Sequence, residues 1–95
     1  MVTIGMNYRV REGKGQVFED AFDRVLKVMA GIEGHDTSAL YRGVTNAGEY
    51  LIVSRWADEK AFDSFIASDA FKKVANWGSE HVLAGRPLHT TYAEA

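Results

Sequence analysis

The sequence predicts one α+β domain with the order β-α-β-β-α(α)-β and an antiparallel sheet. Three observations carry this. Hydrophobic period two over Val2–Val10 gives way to helical spacing from Gln16. A short Asn46-Ala47-Gly48 connection joins two strand-like runs as a hairpin. A second helical stretch then precedes a last strand after Pro87.

In Val2–Val10, Val2, Ile4, Met6, Tyr8 and Val10 share one face, and Thr3, Gly5, Asn7 and Arg9 the other. Glu12-Gly13-Lys14-Gly15 is a turn. Phe18, Phe22, Val25 and Met29 then recur at helical spacing. Gly31 and Gly34 are stop signals for that helix. Thr37–Thr45 is the second strand and Glu49–Trp56 the third. Asp58 caps the next helix, whose apolar side holds Ala61, Phe62, Phe65 and Ile66. Ser68-Asp69 interrupts it and starts a short helix with Phe71, Val74 and Ala75, which Gly78 ends. Leu88–Ala93 is the last strand. This is a ferredoxin-like order, covering residues 1–95 as a single domain.

The chain has 95 residues, and a domain of this size has a marginal core. The third strand is apolar on both sides, with Tyr50, Ile52 and Trp56 on one and Leu51 and Val53 on the other. Helices cover only one face of such a sheet. The expectation is a homodimer packed sheet to sheet, with Tyr50 and Ile52 driving it. A net charge of −2 gives no electrostatic reason to expect nucleic acid or an anionic membrane. There is no cysteine, which excludes disulfides, thiolate metal sites and cysteine nucleophiles and suits a cytoplasmic setting. MVTIGMNYRVREGKG lacks the apolar run of a signal peptide, and no stretch is long enough to cross a bilayer. His35, His81 and His89 have no metal-ligand spacing, and no nucleophile motif or phosphate loop is present.

Several stretches resemble the antibiotic biosynthesis monooxygenase superfamily. They are Asn7-Tyr8-Arg9-Val10, Glu12-Gly13-Lys14, Phe18-Glu19-x-x-Phe22 and Gly34-His35. The most specific is Ser54-Arg55-Trp56-x-x-Glu59-x-Ala61-Phe62, continuing into Phe65-x-x-Ser68-x-x-Phe71, with Gly85-Arg86-Pro87-x-His89-x-x-Tyr92 as the tail. The resemblance implies a dimeric α+β barrel. It also implies a monooxygenase acting without a cofactor on a small aromatic such as a phenol, quinol or anthrone. Other members degrade haem, and others have no known reaction. The haem-degrading members' pocket tryptophan and axial histidine fall by register on Phe65 and Ala75, so neither residue type is kept and haem is disfavoured.

Asn7 matches the strand-one asparagine that such enzymes place in their pocket, and its carboxamide can orient a substrate oxygen or dioxygen. If Met6 and Tyr8 face the partner, Asn7 forms the floor of a pocket under the helices, where Phe22, Phe65 and Trp77 meet it. Trp77 either roofs a flat ligand or plugs the end of the core. His35, in a loop after Gly34, is a candidate acid or base; the bland alternative is a solvated loop histidine. The competing reading of the whole chain is a non-catalytic dimeric module that holds a small aromatic metabolite.

Overall fold

The computed structural model describes residues 1–85 and 87–93, the side chains of His89, Tyr92 and Ala93 excepted. Arg86 and those side chains of the family-like tail therefore lie outside the described residues. The elements are β1 (Val2–Arg9), α1 (Gly15–Ala30), β2 (His35–Arg42), β3 (Glu49–Trp56), α2 (Glu59–Ile66), α3 (Asp69–His81) and β4 (Leu88–Ala93). The sheet order is β2-β3-β1-β4, and every neighbouring pair is antiparallel.

Four boundaries differ from expectation. Val10 leaves the strand and makes only an isolated bridge to Leu83. β2 starts two residues earlier, at His35, and ends at Arg42, because Gly43 N–H already bonds the Glu49 carbonyl and closes the hairpin. Gly34 has φ +92°, and a Cβ there would lie 2.5 Å from that of Ala61, so the chain turns into β2 where only glycine fits. Gly78 does not stop α3. Its carbonyl instead accepts N–H bonds from Val82 (2.9 Å) and Leu83 (2.8 Å), which end the helix one turn later.

Capping follows the sequence more closely. Asp58 accepts from Ala61 N–H at 2.8 Å and Ser68 from Phe71 N–H at 3.2 Å, satisfying the first free donors of α2 and α3. Arg11 straps the end of α3 to the turn after β1. Its Nε donates to the Leu83 carbonyl at 2.9 Å, and its N–H to the Val82 carbonyl at 2.8 Å.

All three helices contribute to one side of the sheet. Burial along β3 alternates, with Tyr50, Ile52, Ser54 and Trp56 buried and Leu51 and Val53 half-buried. Ile4 and Met6 of β1 are buried beside them. Phe18 of α1 lies against Tyr8 (5.2 Å between ring centres) and Tyr50 (4.8 Å). Phe65 stacks on Trp56 at 5.4 Å. The expected parity is thus reversed. The Met6/Tyr8/Tyr50/Ile52 face meets the helices, and the open face carries Asn7, Leu51 and Val53 with Tyr41 and Leu88. The physical reason is apolar content: the even-numbered set of β1 is apolar throughout, and α1 covers it. No helix among the described residues is long and apolar enough to cross a membrane.

Candidate functional site

α3 carries an apolar side, yet none of its residues is buried. The space it leaves above the sheet is a cavity of about 510 Å³, within the range of small-molecule sites. Its floor is Met6, Tyr8 and Ile52. Phe18, Phe22 and Val25 form the α1 wall, Phe62 and Ile66 the α2 end, and Phe71, Val74, Ala75 and Trp77 the roof. Helical spacing makes this possible, because positions four and three apart on α1 and α3 share one face.

Polar lining is sparse. Tyr8, Asn76 and Ser79 supply it, and no acidic, basic or histidine side chain is among the described lining residues. The Tyr8 hydroxyl has a thioether as partner, donating to Met6 Sδ at 3.7 Å. Burial pushes its pKa up to about 12, so it stays protonated at ordinary pH. Among the described lining residues, Met6 and Tyr8 have side-chain atoms of the kinds that ligate haem iron. No cluster of three or more metal-ligating His, Cys, Asp or Glu residues occurs among the described residues.

Of the expected site residues, Phe22 and Trp77 line the cavity. Phe65 does not; it is buried beneath, between Trp56 and Phe71. Asn7 is exposed on the opposite face of the sheet, because β1 parity puts Met6 and Tyr8 toward the helices. It sits there in a second depression of about 430 Å³ with Tyr41, Leu51 and Leu88, rimmed by Arg9 and Glu49. His35 opens β2 rather than lying in a loop. Its ring meets Trp56 edge-on at 4.9 Å, and its Nε2 is 2.8 Å from Ser38 Oγ, which donates to Ser54 Oγ at 2.9 Å. Desolvation lowers the His35 pKa, opposed by the Asp36 charge and a backbone bond at Thr37. It does not line the cavity. His81 ends α3, exposed, with its Nε2 3.7 Å from Glu80. Tyr8, Asn76 and Ser79 bring the polar groups to the cavity; the alternation of β1 holds the signal for Tyr8, and no motif singles out Asn76 or Ser79.

A protein from Natronomonas pharaonis named "Putative heme-binding protein" is 35% identical over 91 residues, 96% of this chain. A Halobacterium salinarum protein of the same description is 34% identical over 91 residues, again 96% of the chain. The chain spans only 15% and 18% of the length of these two relatives. A conserved protein of Methanosarcina mazei superposes with a TM-score of 0.89 at 22% identity, covering 99% of this chain and 92% of the other. SnoaB, a cofactor-independent oxygenase from Streptomyces nogalater, gives 0.84 at 22% identity, with 99% and 92% covered. At such identities these structures bear on the fold alone, which they share throughout. Residues 1–77, from β1 into α3, match the family pattern described as antibiotic biosynthesis monooxygenase, and the chain belongs to that family.

Proposed function

We propose that the chain is a cofactor-independent monooxygenase of a small, flat, uncharged aromatic bearing an oxygen, such as a phenol, quinol or anthrone. The observation that carries this is the cavity: aromatic walls, no charged group among its described lining residues, and the half-buried Tyr8 hydroxyl on the floor. Family membership and the likeness to an oxygenase named as cofactor-independent support it.

The chemistry asks little of the protein. An anthrone loses a ring CH proton, and its carbanion passes an electron to dioxygen. The CH2 group becomes a carbonyl, one oxygen atom enters the product and the other leaves as water. The substrate supplies all four electrons, so no external reductant is needed. Phe22 and Trp77 hold the ring plane, and the apolar walls exclude water. Tyr8 donates to the oxygen on which negative charge develops. Its own proton is held too tightly for it to serve as the base, so the substrate proton goes to water at the open side of the cavity.

The working unit we propose is a homodimer in a reducing cytoplasm, with the open sheet face as the seam. Tyr41 and Leu88 are 56% and 70% exposed there beside Leu51 and Val53, a patch that one chain leaves uncovered.

A second reading follows from the relatives named for haem. The aromatic walls suit a flat ring, but the donors do not fit a ligated iron. The described lining offers no imidazole or thiolate, and its thioether, Met6 Sδ, already accepts from the Tyr8 hydroxyl. Ala75 occupies the cavity wall without a donor atom. No step is therefore assigned to haem.

Oxygen consumption by the purified chain on a panel of quinols and anthrones tests the proposal. Uptake with product formation in the presence of a strong chelator is the expected result. No uptake on any member, with binding retained, would leave a binding module instead.

A further inference from the structure

Tyr8 is half-buried and carries the hydroxyl on the cavity floor, and its described partner is a sulfur atom. A thioether is a weak acceptor, so the O–H is nearly unsatisfied where it lies. Leaving such a donor among apolar side chains costs free energy unless something better accepts from it. Phe18 holds the ring from one side, which fixes where the hydroxyl points. Apart from Asn76 and Ser79 near the end of α3, the remaining lining side chains are aliphatic and aromatic, with no cation among the described lining residues to neutralise an anion.

We propose that Tyr8 is the specificity-determining residue of this cavity: its hydroxyl leaves Met6 and donates to a ligand oxygen, and the cavity selects flat ligands that carry a neutral oxygen acceptor and rejects carboxylates. This rests on the ligand site proposed above, and it names the residue that orients the ligand and the charge the ligand carries. A flat hydrocarbon fills the same walls but leaves the hydroxyl unpaired. An aromatic carboxylate brings a full charge into the cavity, and no cation in the described lining balances it.

Three probes of one size separate these terms: 1-naphthol, naphthalene and 1-naphthoate. Equilibrium dialysis measures each against the wild type and Tyr8→Phe, which keeps the ring against Phe18. The wild type binds naphthol about tenfold more tightly than naphthalene, as expected for one net hydrogen bond. Tyr8→Phe erases that ratio by weakening naphthol alone, and naphthoate binds worst to both. An unchanged naphthol-to-naphthalene ratio in Tyr8→Phe overturns the role of Tyr8. Naphthoate binding as tightly as naphthol overturns the charge selection. Failure of the wild type to bind any probe removes the ligand site and this inference together. Selective binding with no oxygen uptake on any anthrone removes only the catalytic reading and leaves the role of Tyr8 standing.

Discussion

Leu88→Glu tests the open sheet face directly. Leu88 starts β4, pairs with Asn7 across the sheet and is 70% exposed, the most exposed apolar side chain on that face among the described residues. Full burial of a leucine contributes roughly 1.5–3 kcal/mol, so covering the remaining 70% contributes about 1–2 kcal/mol per copy. A two-fold interface counts each residue twice, which gives about 2–4 kcal/mol per dimer. That corresponds to roughly a 30- to 700-fold rise in the dimer dissociation constant. The new carboxylate, placed in an apolar seam, pushes in the same direction. Sedimentation velocity over a concentration series reads the shift. Leu88 lies outside the helix–sheet cavity, so probe affinity per chain stays as in the wild type. A wild type that is monomeric at micromolar concentration refutes the reasoning. So does a Leu88→Glu variant that dimerises equally well.

Three further outcomes follow. Arg11→Ala removes the strap from the Leu83 carbonyl and is expected to cost about 1 kcal/mol for a partly exposed charged donor; calorimetry should show a fall of a few degrees in Tm. Ala75→His puts an imidazole on the cavity roof, and a haem titration should then show a Soret band sharper and tighter than the wild type's. His35 has a lowered folded pKa, so the unfolded chain binds its proton first as pH falls. Its contribution is present above the ordinary histidine value of about 6.5 and is lost as pH falls below it. Urea titrations at neutral pH and at about one unit below that value should show this loss in the wild type and less of it in His35→Gln.

Much of the fold was legible because local signals agreed. The Asp58 and Ser68 caps, the Phe18/Phe22 spacing and the Asn46-Ala47-Gly48 connection each pointed to the element that forms. The face of the sheet was not legible in the same way. β3 is apolar on both sides, so it does not say which side the helices cover. β1 does say, since Ile4, Met6, Tyr8 and Val10 form an unbroken apolar row, but the resemblance placed its neighbour Asn7 in the pocket. A one-residue offset between a motif and this strand inverts every side chain. Here the helices cover the Met6/Tyr8 side, so Asn7 faces outward and Tyr8 inward. Phe65 was misplaced for another reason: helical period alone does not separate a residue buried under Trp56 from one that faces a void.

The most direct test of the account is isotope incorporation from dioxygen. The purified chain, without added metal or haem, is given 18O2 and an anthrone, and the product is weighed by mass spectrometry. The account predicts one 18O atom per quinone formed. It also predicts that Ala75→Trp, which fills the cavity from an exposed roof position without disturbing a buried residue, abolishes this incorporation while the protein stays folded. Labelled product formed equally well by Ala75→Trp, or quinone whose new oxygen comes from water, would contradict it.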